Sequence, residues 1–182
     1  GVFNFAQGAM VYFAALSLVG CMGMGAPFWL AFILAFVIMT VFGIATEKFV
    51  LRRMVNQGPS GPPMATIGLD FFIEGLAPLL WGNEVRPLDI GIVDVPIAYF
   101  LDNFNMVISS FDLFAAGLAL ALVALLALFF QYTRVGRALR AVADDHQAAL
   151  SIGIPLQHIW ALVWAVAGFV ALVAGMLWGS RN

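Results

Sequence analysis

The sequence contains few charged residues, and this scarcity decides the class of protein. Only 10% of its 182 residues are charged while 63% are hydrophobic, and the mean hydropathy is +1.01. A soluble domain carries about 25% charged residues, because its surface needs polar cover. A soluble globule of this length is therefore excluded, and the excess apolar surface must face lipid.

Cysteine is scarce as well, and the net charge is slightly negative. The one cysteine, Cys21, excludes an internal disulfide and a thiolate metal site, and we interpret it as a small buried hydrophobic residue. A formal net charge of −2 gives no indication of a nucleic-acid partner. The sequence has no nucleotide-binding loop, no serine–histidine–acid set and no histidine pair at metal-ligand spacing. We therefore predict no catalytic residue and no metal site in this chain.

What the sequence does contain is a series of long apolar runs. A membrane-spanning helix needs about 20 mainly apolar residues, and we predict spans at residues 8–24, 27–46, 63–82, 111–132 and 156–179. The predicted fold is all-α, a polytopic transmembrane helix bundle of about five spans, and residues 1–182 form part of one transmembrane domain. We expect the segment Thr66–Gly68, together with Gly75 and Pro78, to break the third span.

The distribution of charge predicts the orientation in the membrane. Three cations follow the second span, Lys48, Arg52 and Arg53, whereas the loop 83–110 holds one cation among several carboxylates. Three more lie in the segment 134–155, namely Arg134, Arg137 and Arg140. Basic links face the cytoplasm, so the loop 83–110 is predicted to lie outside. Its β-branched residues at 90–95 indicate an ordered loop with a short strand or hairpin.

The segment 134–155 is the most informative part of the sequence. Val135, Leu139 and Val142 recur at helical spacing, with arginines and aspartates left for the wet face, which predicts a short amphipathic helix on the cytoplasmic side. One interpretation is an interfacial helix whose arginines reach anionic lipid, and the residues alone favour it. The other is a docking helix that transmits force from a soluble partner.

Polar residues inside the spans are the second candidate site. Asp70 and Glu74 lie one helical turn apart on the same face, and carboxylates within the membrane mark functional sites. They are interpreted either as a proton relay or, preferably, as the lining of a water-filled vestibule. Asn4, Gln7 and Gly8 either bridge helices through hydrogen bonds, which is the commoner use, or line a substrate path.

Three stretches resemble one known family. TRVGRALRAVADDHQAALSIGI resembles the loop GRAxRAxAxDxxAAxxxGI of the branched-chain amino acid ABC importer permeases. GVFNFAQG is similar to that family's NxAHG segment, and ATIGLDFFIEGLAPLLWG to its TIGLSxxLQNxxxLxxG helix. The matches occur in the expected order and cover nearly the whole chain. In the departures, Gln7 replaces the usual histidine, Ala9 the acid that often follows it, and Asp70 and Glu74 a serine and a glutamine.

The resemblance implies a multi-pass permease subunit of an importer in the bacterial inner membrane. Its implied partners are a second, related permease, two cytoplasmic ATPases and a periplasmic binding protein. ATP and Mg²⁺ would belong to the ATPases, and no cofactor to this chain. The solute would be a branched-chain amino acid or a related small solute such as urea, an amide or another small acid. Because the family has more than five helices, we expect this chain to be a fragment with helices missing at both ends.

The resemblance also assigns residues to two roles. The residues that would couple the chain to an ATPase are Gly136, Arg137, Arg140, Asp144, Asp145, Ala148, Ala149 and Gly153. The residues that would line the substrate path are Asn4, Gln7, Gly8, Thr66, Gly68, Asp70 and Glu74.

Two other functions remain open on the residues alone. An ion- or proton-coupled secondary transporter would use Asp70 and Glu74 and would need no ATPase, and such carriers also contain broken helices. A membrane scaffold subunit would have no path of its own, and the polar residues in the first and third spans argue mildly against it.

Overall fold

The computed structural model describes residues 4–54, 61–82, 88–144 and 156–181. Within those residues the chain is helical and has no β-strand, which confirms the predicted all-α fold. The helices are α1 (Gln7–Gly23), α2 (Phe28–Phe49), α3 (Gly61–Trp81), α4 (Ala98–Phe104), α5 (Ser110–Tyr132), α6 (Arg134–Asp144) and α7 (Leu156–Arg181), and the 3₁₀ turn Leu51–Arg53 follows α2.

The long helices have the composition of membrane spans. Four segments are long and apolar enough to cross a bilayer, namely Phe28–Arg53, Gly61–Trp81, Ser110–Tyr132 and His158–Arg181. Helix α1 is also apolar and has 17 residues. The chain is thus a multi-pass membrane protein.

The first of two compact units contains α1, α2, α3 and α7. In this unit α7 packs against α1 and α2, and α1 also packs against α2 and α3. Large side chains from all four helices are fully buried between them. They are Met10, Leu18, Met39, Ile73 and Leu172.

Glycines allow the backbones of α2 and α7 to approach closely. A Cβ atom on Gly43 would lie 2.7 Å from the carbonyl oxygen of Trp164, and one on Gly168 would lie 2.9 Å from that of Met39. Without a strong hydrophobic driving force between helices in lipid, such close contact is what holds spans together. The helix pair therefore depends on having no side chain at these two positions.

An ion pair between a buried carboxylate and an exposed arginine stabilises the end of α2. The carboxylate of Glu47 is 3% exposed and accepts two hydrogen bonds from the Arg52 guanidinium, at 3.1 and 2.8 Å. A buried carboxylate is tolerated when it is paired and hydrogen-bonded in this way. Arg52, one of the cations used to predict orientation, is thereby bound to the helix end.

The expected break in the third span is wrong, because α3 is continuous from Gly61 to Trp81. Pro78 lies inside it, one turn before its end. A proline removes one helical hydrogen bond, and the remaining bonds on either side keep the helix together. In a bilayer the backbone has no water to bond to, which favours helix over an open break.

The second unit, Asp89–Arg140, contains α4, α5 and most of α6. Helix α5 begins with a capping box, in which the Asp112 amide donates to Ser109 Oγ at 3.1 Å and the Ser109 amide donates to Asp112 Oδ2 at 3.3 Å. The β-branched residues at 90–95 predict a short strand or hairpin before α5. Among the described residues of this loop the strand pairing is limited to a bridge between Pro96 and Ser109, and the unanticipated helix α4 lies between them.

Candidate functional site

Polar residues at the start of α1 connect that helix to its neighbours. The Oγ1 atom of Thr66, fully buried on α3, accepts a hydrogen bond from the Phe5 amide at 3.4 Å and donates to the Pro63 carbonyl at 2.8 Å. The side chain of Gln7 donates to the carbonyl of Ala167 on α7 at 3.3 Å, and Asn4 donates to Gln7 at 2.8 Å. These contacts are the helix-bridging use of intramembrane amides.

An open cavity of about 440 Å³ lies between α1 and α3. Among the described residues its lining comprises Gly8, Ala9, Tyr12, Glu74 and Pro78. Glu74 is exposed, and the described residues offer it no ion-pair partner. The structure therefore brings together two of the residues predicted to line a path, Gly8 and Glu74.

The other predicted path residues lie apart from that cavity. Asp70 is half-buried one turn before Glu74, and Gly68 is exposed with nothing within 4 Å of where its Cβ would be. Asn4, Gln7 and Thr66 are engaged in the contacts described above. The set thus divides into a bridging group at the start of α1 and a cavity group further along.

The lining of the cavity includes one carboxylate, that of Glu74. Besides the Glu74 carboxylate, Pro78 has no N–H to close the helical bond on the carbonyl of Glu74, four residues earlier. Tyr12, which is 41% exposed, adds an aromatic ring. A carboxylate and an aromatic ring together suit a solute group that donates hydrogen bonds and carries positive charge. Tyr12 and Pro78 lie four residues after Gly8 and Glu74, and this helical spacing was the available signal for both.

The corner between α5 and α6 is the second candidate site, and Thr133 forms it. This residue ends α5 with φ −83° and ψ 155°; its Oγ1 donates to the Phe129 carbonyl at 2.6 Å and accepts from the Gly136 amide at 3.0 Å. A Cβ atom on Gly136 would collide with the backbone of Phe130. One hydroxyl and one glycine therefore make the turn from spanning helix to α6. Thr133 is not among the predicted coupling residues, although a threonine three residues before Gly136 has the spacing of a helix N-cap.

The arginines of α6 act on the end of α5. Arg137 donates to the Tyr132 carbonyl at 3.4 Å and Arg140 to the Gln131 carbonyl at 3.3 Å, and both side chains remain exposed. Cations are favoured at a helix C-terminus, where carbonyl groups lack helical partners. On the apolar side, Leu139 is half-buried and Val142 is 7% exposed. Helix α6 is amphipathic, as the spacing of its apolar residues predicts.

Only part of the predicted coupling set falls in the part of the chain that the structure describes. Gly136, Arg137 and Arg140 lie at and just after the corner, and α6 ends at Asp144. Asp145, Ala148, Ala149 and Gly153 lie outside the described residues.

Apolar spanning helices, polar groups within them and an amphipathic connecting helix define a polytopic helical membrane protein. Residues 1–181 match the family model described as the permease component of the branched-chain amino acid transport system. The chain belongs to this family, which confirms the resemblance carried by the three motifs.

Individual relatives agree with the family match. The chain is 27% identical over 189 residues to the high-affinity branched-chain amino acid transport system permease protein LivH of Escherichia coli (strain K12) and to that of Salmonella typhimurium, covering 99% of this chain and 61% of the relative. It is 25% identical over 191 residues to the corresponding protein BraD of Pseudomonas aeruginosa, covering 100% of this chain and 62% of BraD. The chain thus spans about 61% of the length of these relatives. No solved structure matches it.

Proposed function

We propose that this chain forms the translocation path of a permease subunit in an ATP-binding-cassette importer for branched-chain amino acids or a related small polar solute. The observation that carries the proposal is the corner at Thr133, where an amphipathic helix is locked to the end of a spanning helix. A docking helix transmits motion to a span only if the joint between them is stiff. The family to which the chain belongs supports the same assignment.

In this mechanism α6 and the residues after it fit a groove on a cytoplasmic ATPase. Motion of the docking segment is transmitted to α5 through Gly136, Arg137 and Arg140. The rest of the docking segment comprises Asp144, Asp145, Ala148, Ala149 and Gly153. Closure of the ATPase pair moves the docking segment and switches the spans between inward-facing and outward-facing arrangements. ATP and Mg²⁺ are bound by the ATPases, and this chain performs no hydrolysis.

The cavity between α1 and α3 is the proposed contact point for the solute. An ammonium group there would lie beside Glu74 and Tyr12, whose carboxylate and ring both attract a cation. Urea and short amides carry no positive charge and gain less from these acceptors. The site therefore favours an amino acid among the solutes considered. Asn4, Gln7, Thr66, Gly68 and Asp70 would support the walls of the path.

The assembly we propose lies in the bacterial inner membrane. It contains a second, homologous permease, two cytoplasmic ATPases and a periplasmic substrate-binding protein. Because the chain spans about 61% of the length of its relatives, the test uses the full-length parent protein. Tagged parent protein is isolated from membranes, and the proteins recovered with it are identified by mass spectrometry. We expect an ABC ATPase and a second permease.

A charge reversal tests the docking helix itself. Arg137→Glu is expected to reduce both recovery of the ATPase and ATP-driven leucine uptake while leaving the amount of inserted permease unchanged. The matched control is Arg53→Glu, an exposed arginine in the 3₁₀ turn after α2, and it should retain both. Recovery of the permease alone, with uptake driven by a proton gradient, would instead identify a secondary transporter that uses Asp70 and Glu74.

A further inference from the structure

Helix α4 carries an apolar stripe that is exposed to solvent. At about 100° per residue, Phe100, Leu101 and Phe104 fall on one side of the helix and Asp102 on the other. Phe104 is 59% exposed and Leu101 42% exposed. Two large apolar side chains on one turn of a seven-residue helix are unfavourable on a protein surface that faces water.

The loop that contains α4 is hydrogen-bonded to the first residue of α5. The Ser110 amide donates to the Val95 carbonyl at 2.9 Å, and the Ser110 hydroxyl donates to the Val93 carbonyl at 2.6 Å. Next to them the Ile97 amide donates to the Ile108 carbonyl at 2.9 Å. All of these residues belong to one compact unit with α4 and α5. The position of α4 along the axis of α5 is therefore set at that helix's N-terminal end.

The length of α5 places that end at an expected membrane surface. Helix α5 has 23 residues, which at 1.5 Å each gives a length of roughly 34 Å, close to the ~30 Å thickness of the hydrocarbon core. When α5 crosses the bilayer, its first turn reaches the headgroup region, and α4 lies at the same depth. Aromatic side chains are enriched at this depth.

We propose that α4 is an interfacial helix, lying on the lipid headgroups with Phe100, Leu101 and Phe104 directed toward the acyl chains. This inference does not depend on the proposed transport function. Exposed Met106 and Val107, directly after the helix, extend the apolar surface. Lipid acyl chains fit this surface better than a second protein, because it is level with the bilayer edge and continuous in sequence with a spanning helix.

The charge near α4 specifies the kind of attraction. The described residues from Leu88 to Asp112 include four aspartates and no lysine or arginine. Four aspartates on this segment disfavour attraction to anionic lipid, so burial of apolar side chains is the expected cause of membrane contact. Its contact with the membrane is therefore expected to persist at high salt, unlike that of a basic interfacial helix.

Nitroxide labels can measure the depth of each face. The full-length parent, with its cysteines replaced (Cys21→Ala in this chain), is reconstituted in vesicles of phosphatidylethanolamine and phosphatidylglycerol. Labels are attached to Leu101→Cys, Phe104→Cys and Asp102→Cys variants. Leu120→Cys, 72% exposed on α5, is the lipid reference, and Asp89→Cys, on the exposed loop, is the water reference. The observable is collision with oxygen, which partitions into lipid, relative to a water-soluble nickel chelate.

We expect the oxygen-to-nickel collision ratio at positions 101 and 104 to be several-fold above that at 102 and to stay so at high salt. Two positions on the stripe guard against local damage by either substitution. Ratios at 101 and 104 equal to that at 89 would place α4 in water and overturn the proposal. Low collision with both reagents at 101 and 104 would also overturn it, since a protein surface would then cover the stripe. Neither result bears on ATP-driven uptake, so the two proposals fail separately.

Discussion

At the scale of single residues, Gly43 controls how closely α2 and α7 pack. The nearest atoms to a Cβ at this position are backbone atoms of Trp164, which cannot rotate away as a side chain would. We expect Gly43→Ala to force the helices apart and to destabilise the bundle by about 1–3 kcal/mol, the usual cost of overpacking a core. The measurement is the thermal unfolding of the detergent-purified, full-length parent protein.

Gly117→Ala on α5 is the matched control, because nothing lies within 4 Å of its Cβ position. There alanine should be neutral or should stabilise the helix by up to about 1 kcal/mol, the difference in helix propensity. Equal melting temperatures for the two variants would show that the close approach at Gly43 is not what holds α2 against α7.

Glu74 is the residue on which solute recognition is expected to depend. If its carboxylate pairs with an ammonium group, Glu74→Gln removes one charge-assisted hydrogen bond, worth about 1.5–3 kcal/mol, and raises KM for leucine at least about tenfold. Glu74→Asp keeps the charge on a shorter stem and should lose less. Uptake by the reconstituted importer measures both. An unchanged KM in Glu74→Gln, or equal losses in the two variants, would exclude a role for the charge.

At the scale of elements, the Thr133 corner is expected to control coupling. Thr133→Val keeps the shape of the side chain and removes the hydroxyl that joins Phe129 to Gly136, a cap worth about 1 kcal/mol. We expect the assembled importer to hydrolyse ATP while the solute moved per ATP falls several-fold. Thr133→Ser, which retains the hydroxyl, should preserve the ratio. A normal ratio in Thr133→Val would remove the corner from the coupling mechanism.

The elements that could be predicted from the sequence are those whose own residues determine them. Helix α2 begins at Phe28, directly after Pro27, because a proline suits the residue before or at a helix start. Helix α4 was missed because seven residues are too few for a periodic signal. Its end at Asn105, with φ 56°, uses an αL conformation that asparagine tolerates.

The candidate site was predictable in composition but not in arrangement. Glu74 attracts notice as an intramembrane carboxylate, yet its proximity to Gly8 and Tyr12 depends on how α1 packs against α3, which the sequence of neither helix encodes alone. The same holds for Gln7, whose hydrogen-bond partner Ala167 is 160 residues away. The continuity of α3 through Pro78 was also beyond local reasoning, because a proline breaks helices in water more readily than in a bilayer.

At the scale of the whole molecule, the cations used to predict orientation serve helix ends as well. Arg52 pairs with Glu47 at the end of α2, and Arg137 and Arg140 bind carbonyl oxygens at the end of α5. The same arginines can stabilise a helix end and set the membrane orientation. A helix C-terminus favours cations, and cytoplasmic loops are enriched in them. Two spans that end in arginines should therefore end on the same, cytoplasmic side, with the aspartate-rich loop before α5 on the other.

This orientation predicts which positions an external reagent can reach. In the cysteine-free parent, single cysteines are placed at Val93, Gln131 and Arg53, and all three positions are exposed. A membrane-impermeant maleimide added to intact spheroplasts should modify Val93→Cys and leave Gln131→Cys and Arg53→Cys unmodified until the membrane is opened. Because Val93 precedes α5 and Gln131 lies near its end, modification of both without opening would mean that α5 does not cross the bilayer. Modification of Gln131→Cys and Arg53→Cys alone would show that the orientation is the opposite of the one predicted. Helix α6 would then lie on the outer side, away from any cytoplasmic ATPase.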